Sequence, residues 1–297
     1  MAHSITAHRL RRLLAPSTPA LAMASHSPLS AKLAAQAGFP AIWASGFELS
    51  ALYAVPDANI LPVSTHLEMT RSIVETVGPN VPVIADLDTG GGNAVNVSYM
   101  VRKYKDAGCA AVVMEDKVFP KDSSLRVSAR HVLVTVEEFQ GKIGAAKAAA
   151  GEGEDGMLVV ARTEALIAGL RLEEALNRAE AYTEAGADAI LIHSKQKNPD
   201  EILDFCQRWS GKVPLVIVPT SYPQLSFQNV AELNKVGLII CGNHSIRAAV
   251  KAMRETFERI IKDNSIAGVE GDIASVKDVF ELQGDAEMRE IEKKYLR

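Results

Sequence analysis

Little in this sequence serves a membrane, a nucleic acid or a disulfide framework. The 297 residues hold three cysteines, Cys109, Cys206 and Cys241. They are scattered and odd in number, and two lie in apolar runs, as befits reduced, buried thiols of a cytoplasmic protein and not a disulfide scaffold. No apolar run approaches the ~18 residues of a membrane span. A net charge of −4 leaves no basic footprint for nucleic acid and no polybasic patch for a lipid surface. Arg9, Arg11 and Arg12 stand beside Leu10, Leu13 and Leu14, but no long apolar run follows. The N-terminus therefore reads as an amphipathic first helix, with an organellar transit segment as the alternative, and not as a secretory leader. No linker splits the chain; Gly151 to Gly156 reads as a solvated loop before a strand.

What is present is a repeat. Ala37-Gly38-Phe39 leads into Ala41-Ile42-Trp43-Ala44 and ends at Ser45-Gly46. Ala107-Gly108-Cys109 leads into Ala111 to Met114 and ends at Glu115-Asp116. Ala185-Gly186-Ala187 leads into Ala189 to Ile192 and ends at His193-Ser194. Val236-Gly237 leads into Leu238 to Cys241 and ends at Gly242-Asn243-His244. Each of these units reads as a helix stopped by glycine, a short loop, and a strand apolar on both faces. Leu21–Ala24, Val81–Ala85, Met157–Ala161 and Pro214–Val218 supply four more strands. Amphipathic stretches separate most of the strands, among them one opened by Ser27-Pro28 and another from Leu172 to Ala185. Eight parallel strands with helical crossovers predict a (β/α)8 TIM-type barrel. The doubly wound alternative would want a glycine-rich turn after its first strand, and Ser25-His26-Ser27-Pro28 is not one. With 47% apolar residues there is enough to fill such a core. Residues 1–297 are expected to form one barrel domain, with a C-terminal helical arm from about residue 246.

In a barrel, chemistry gathers at the C-terminal strand ends. There the sequence places Ser45 and Gly46, then Asp86 and Asp88, Glu115 and Asp116, Arg162 and Glu164, His193, and Asn243 with His244. Alternation along an extended segment would put Asp86 and Asp88 on one face, with Glu115 on the next strand about 5 Å away. Three such acids repel unless a cation lies among them, and an all-oxygen set suits Mg2+ or Mn2+. The alternative is that they pair with Lys or Arg, or cap helices. Arg162 and His193 are expected on the far side of the mouth, facing an anion. Ser45 and Gly46 offer adjacent amides at a turn, suited to a carboxylate or an oxyanion, or else form an ordinary turn. Lys117, Lys121 and Ser123 fall in a polar loop, either a lid or a solvated surface.

Trp43 to Phe47, Pro56-Asp57-Ala58, Ala85 to Gly90, Met114 to Lys117 and Ala161 to Ala165 together resemble the phosphoenolpyruvate mutase/isocitrate lyase superfamily. The likeness runs from about residue 20 to 260 and beyond. It implies Mg2+ (Mn2+ or Co2+ in its place) bound directly by Asp86, with Asp57, Asp88 and Glu115 reached largely through water. The Ser45 and Gly46 amides, with Phe47, would hold a pyruvyl end, and Arg162 and His193 a phosphoryl group. A loop from Glu115 to about Arg130 would gate the site, and Asp57, Lys121 and Ser123 join Arg162 and His193 as candidate catalytic groups. A homo-oligomer, dimer or tetramer, with an exchanged C-terminal helix is also implied.

Within the superfamily the loop selects the branch. Mutases resemble Glu-Asp-Lys, five residues, then Asn-Ser; here Ser123-Ser124 stand at that place, a hydroxyl as in the hydrolytic branch. Lyases carry a cysteine motif there, and Lys121 to Leu125 has none. The resemblance therefore implies Mg2+-dependent hydrolysis of the P–C bond of an α-keto acid phosphonate, phosphonopyruvate, to pyruvate and phosphate. The alternatives are a phosphoenolpyruvate mutase and an oxaloacetate decarboxylase or C–C bond hydrolase. Gly91, where relatives commonly have an aromatic residue, and Ser128 to His131 depart from the pattern.

Overall fold

The computed structural model describes residues 2–16, 18–126 and 131–296. Eight parallel strands close into a barrel in sequence order. They are β1 (Ala20–Ser25), β2 (Ala41–Ala44), β3 (Val83–Asp86), β4 (Ala111–Glu115), β5 (Leu158–Thr163), β6 (Ala189–Ile192), β7 (Leu215–Ile217) and β8 (Val236–Cys241). Every strand read from the sequence is present, within two residues at each end. The helices are α1 (Ala2–Leu13), α2 (Pro28–Gln36), α3 (Gly46–Leu52), α4 (Val63–Val77), α5 (Ala94–Asp106), α6 (Val136–Ala150), α7 (Leu172–Glu184), α8 (Asp200–Arg208), α9 (Phe227–Glu232), α10 (His244–Asp263), α11 (Val276–Gln283) and α12 (Asp285–Tyr295). The α2 start follows from its residues: the Ser27 side chain accepts from the Ser30 amide, and Pro28 occupies the first turn, where its missing N–H costs nothing.

Inside the barrel, alternate strand residues form a dry plug. Alanines on β1, β2 and β6 face Trp43, Ile84, Val113, Val160, Leu191, Val216 and Ile240. Small residues opposite large ones let the layers interdigitate. The amphipathic first helix closes the bottom of this plug. Ala7, Leu10 and Leu14 join the same buried cluster, each leucine contributing about 1.5–3 kcal/mol. Arg11 pins the helix by donating to the carbonyls of Gly156 (2.8 Å) and Gly153 (3.3 Å) and pairing with Asp188 (3.3 Å). With the N-terminal end sealed, the open end is where the strands finish. The larger cluster packs α5 to α9 against the outer strand faces.

The chain separates into two compact units, residues 1–246 and 247–297. The second comprises most of α10, with α11 and α12. Val269 is buried within it, and Arg259 closes its turn onto Asp272 and the Gly268 carbonyl. Val250, Met253, Phe257 and Ile261 recur along one side of α10 and are exposed. No described helix is long and apolar enough to cross a membrane.

Candidate active site

At the C-terminal strand ends lies a cavity of about 70 Å³. Asp57, Asp86, Glu115, Arg162 and His193 border it, and the loop after β4 contributes Lys121, Ser123, Ser124 and Leu125. That loop is tied at its base by antiparallel pairing, Val118 N–H to Val132 O at 3.0 Å and Val134 N–H to Asp116 O at 2.9 Å. Of the expected gate, residues 127–130 lie outside the described residues, including most of the departure at Ser128 to His131.

The acids meet, though not by strand alternation. β3 ends at Asp86, and Asp88 sits in a left-handed conformation, φ 50°. The Asp88 amide turns back to Asp86 Oδ1 (3.2 Å), which brings the second carboxylate round beside the first. Glycine at position 46 eases this approach, since a Cβ there would lie 3.2 Å from Asp88 Oδ1 and 3.4 Å from Asp86 Oδ2 and would push the carboxylates back. Asn59, which the sequence did not single out, locks the arrangement. Its amide donates to Asp88 Oδ2 (2.9 Å), and its oxygen accepts from the Lys121 backbone (2.7 Å). Lys121 Nζ enters between Asp57 Oδ1 (2.8 Å) and Asp88 Oδ1 (2.5 Å).

Burial, partly relieved by Lys121 and Arg162, raises the Asp86 pKa, with Glu115 and Asp57 adding repulsion. Burial likewise pushes Asp88 up to about 7 against the pull of Lys121. Burial works against the charge of Lys121, but Asp88 and Asp57 outweigh it and hold the ammonium well above its ordinary range. Glu115 Oε1 is buried without a hydrogen-bond partner. Such acids fit a hard cation. Among the described residues no three His, Cys, Asp or Glu side chains converge tightly enough to grip one ion directly. The donor set thus suits an ion that keeps most of its waters.

Arg162 is not across the mouth from the acids. Glu115 and Arg162 are paired neighbours on β4 and β5, and Arg162 Nε lies 3.3 Å from Glu115 Oε2. Its main partner is Glu164 at 2.5 Å, and its Nη2 also donates to Ser124 Oγ at 3.0 Å and to His193 Nδ1 at 3.3 Å. Lys117 completes the network, 2.7 Å from Glu164 Oε2 and bonded to Ser124 Oγ. Burial opposes the charge of Glu164, but Arg162 and Lys117 keep its pKa well below the usual range. Burial lowers the His193 pKa against the pull of Glu164, which favours the neutral ring. A guanidinium can only donate, so Nδ1 is the acceptor and Nε2 carries the proton. Nε2 is buried and has no partner of its own.

The Ser45–Gly46 expectation needs correction. The Ser45 amide continues the sheet by donating to Ser25 O (3.2 Å), and the Gly46 amide donates to Asp86 Oδ2 (3.3 Å). The pair is therefore engaged by the protein and not presented as an open oxyanion cradle. Ser45 caps α3, its hydroxyl accepting from the Glu48 amide; Ser45 and Phe47 border the cavity. Asp116 points away from the site. Its carboxylate receives Glu164 N–H (2.8 Å), Tyr182 OH (2.7 Å) and Arg178 Nη1 (3.2 Å). Asn243 lines the cavity, whereas His244 is exposed at the start of α10. Gly91, φ 72°, borders a second cavity of about 180 Å³ behind Asp86 and Asp88.

The phosphoenolpyruvate phosphomutase family model matches residues 10–261. The phosphonopyruvate hydrolase of Variovorax sp. (strain Pal2) is 62% identical over 276 residues, 93% of this chain and 94% of that protein. The phosphoenolpyruvate phosphomutase of Tetrahymena pyriformis is 41% identical over 288 residues, 97% of this chain and 94% of that protein. A solved structure of phosphonopyruvate hydrolase in complex with oxalate and Mg++ matches with a TM-score of 0.91 and 58% identity, covering 98% of this chain and 99% of that one. With the family matched over most of its length and relatives this similar, the chain belongs to the phosphoenolpyruvate phosphomutase family.

Proposed function

We propose that this enzyme hydrolyses the P–C bond of phosphonopyruvate, giving pyruvate and phosphate, with Mg2+ as cofactor and Mn2+ or Co2+ as chemically similar substitutes. The observation that carries the reading is the 62% identity to phosphonopyruvate hydrolase over nearly all of both chains. The cavity supports it, with a carboxylate cluster beside a guanidinium and a neutral imidazole.

The P–C bond breaks with its electron pair passing into the pyruvate enolate, which a solvent proton then converts to pyruvate. Water forms the new P–O bond. A bound Mg2+ supplies Lewis-acid stabilisation to the charge on the pyruvyl oxygens. Asp86 is the residue to hold it, with Asp57, Asp88 and Glu115 ordering its waters. Arg162 offsets phosphoryl charge, and His193 donates from Nε2 to a phosphoryl oxygen. Transfer through a loose, metaphosphate-like state needs positioning more than new bonding. The loop carrying Lys121 and Ser123 keeps bulk water from the enolate. Ser123 is short enough to leave space for the one water that hydrolysis needs. Residues 1–246 form the catalytic barrel in this reading, and the exposed apolar stripe of α10 is the surface for a second copy of the chain, exchanged as a C-terminal arm.

Incubation with phosphonopyruvate and Mg2+ tests the function. Free phosphate and pyruvate are expected; phosphoenolpyruvate as product would make the enzyme a mutase, and no turnover would reject both. Light scattering tests the assembly, since a particle of 31.9 kDa would be a monomer.

A further inference from the structure

Hydrolysis needs a place for the attacking water, and in-line displacement fixes where. The departing enolate lies on the β3 side, where Asp86 ends its strand. In a closed eight-stranded barrel numbered in order, the strand opposite β3 is β7. The water must therefore approach phosphorus from the β7 end, past the phosphoryl group held from β5 and β6 by Arg162 and His193.

The residue at that end is Thr220. β7 stops at Ile217, and the chain enters a short 3-10 turn, Pro219–Ser221. This turn sets Thr220 on the cavity wall near His193 and Asn243. Thr220 Oγ1 is buried and has no hydrogen-bond partner. Buried polar atoms are nearly always paired, so an orphan on a cavity wall marks a missing ligand. The neighbouring strand makes room for it, since a Cβ at Gly242 would come 2.8 Å from Val218 Cγ1 and 3.1 Å from Thr220 Oγ1. His193 Nε2, also on the cavity wall, is likewise without a partner. Because that nitrogen bears the proton, it cannot accept a hydrogen bond from water. A hydroxyl can, having one donor and two acceptor sites.

We propose that Thr220 is the catalytic residue that orients the hydrolytic water, an inference that rests on the hydrolase reading. Thr220 Oγ accepts a hydrogen bond from the water and so turns a water lone pair toward phosphorus, while its own O–H donates a hydrogen bond to a phosphoryl oxygen and keeps its proton. The water–phosphorus bond forms as the P–C bond breaks, the carbon electron pair enters the enolate, and the water protons leave with phosphate and solvent. No strong base is required, because the nucleophile is deprotonated late in a loose transition state.

The test compares wild type, Thr220→Val and Thr220→Ser at saturating Mg2+, following phosphate release from phosphonopyruvate and inhibition by oxalate. Thr220→Val keeps the shape and removes the hydroxyl; its kcat is expected to fall about tenfold or more. KM and the oxalate inhibition constant should stay close to wild type, and Thr220→Ser should restore most of kcat. A wild-type kcat in Thr220→Val overturns the proposal. So does equal impairment of the Val and Ser variants, or a parallel rise in KM and in the oxalate constant, which would mark a packing role. If the wild type releases no phosphate, the hydrolase reading itself fails and the proposal falls with it.

Discussion

Lys121→Met isolates the electrostatics of the carboxylate cluster. The ammonium lies 2.8 Å from Asp57 and 2.5 Å from Asp88 and is almost fully buried. Methionine has a similar unbranched reach, so the change removes charge and little volume. Removing one partner of a buried ion pair costs about 3–5 kcal/mol. In a unit of this size that lowers the melting temperature by about 6–20 °C in chelator. The cost should grow with pH. Burial raises the Asp88 pKa to about 7. A carboxyl raised above its unfolded value stabilises fully only at low pH, and that contribution is lost as pH rises through 7. Losing the pull of Lys121 raises Asp88 further, so proton uptake relieves the variant at low pH and does so less as pH climbs. Mg2+ replaces the missing charge, and saturation at about a hundredfold over Kd adds about 2.7 kcal/mol. Melts at pH 8 in EDTA and in Mg2+ are the assay. The gap between them should be wider in Lys121→Met than in wild type; an equal or narrower gap would refute the idea that Lys121 and the cation neutralise the same acids.

Other outcomes follow from the same geometry. Chelator should abolish activity and Mg2+ restore it, with Asp86→Ala the most damaging of the acid substitutions; full turnover in excess EDTA would reject the metal assignment. Ser123→Asn should slow phosphate release about tenfold or more, since a longer amide takes space from the water; equal rates in both variants would remove Ser123 from the choice of reaction. Asp116→Ala should cost about 3–5 kcal/mol in urea titrations, because it strands the buried Arg178 and the Tyr182 hydroxyl; a loss below 1 kcal/mol would contradict this. Burial pushes Cys109 and Cys206 up to about 12, so at pH 8 neither should label with a thiol reagent until the protein unfolds. Their raised values also imply stability lost as pH climbs from about 9 toward 12, which alkaline melts would detect.

The barrel was legible because its rules are local and repeated. A glycine after a helix and a run of buried residues name most of the strands, and eight of them leave one closed arrangement; Gly237, read as a helix stop, lies instead inside β8. Strand ends then located Asp86, Glu115, Arg162 and His193 without further information. What failed was direction. Asp88 reaches the acid cluster through a left-handed turn, which spacing alone reads as strand alternation. Arg162 was placed across the mouth, although adjacency of β4 and β5 already made it a neighbour of Glu115. The Ser45 and Gly46 amides were assigned to a ligand because the sequence does not reveal that Ser25 O and Asp86 Oδ2 take them. Asn59 escaped notice, and Ser124 was read only as part of a motif, since one polar side chain in a loop looks like any other. Ser123 and Ser124 show this most plainly: they are adjacent and chemically alike, yet only Ser124 joins the Lys117–Glu164–Arg162 network.

The charges around the mouth explain why the loop and the cation belong together. Asp57, Asp86, Asp88, Glu115 and Glu164 bring five carboxylates, and Lys117, Lys121 and Arg162 bring three cations. Fully ionised, the cluster has an excess of two negative charges, which one divalent cation cancels. Two of the three cations, Lys117 and Lys121, belong to the segment following β4. Were Lys121 withdrawn with an open loop, the acids would be left more negative, which favours capture of a dication and repels an anionic phosphonate. With the dication in place and Lys121 returned, the mouth is neutral and the phosphonate meets Arg162 and His193 without that repulsion. Metal before substrate is thus the order that spares the incoming phosphonate the repulsion of the bare acids.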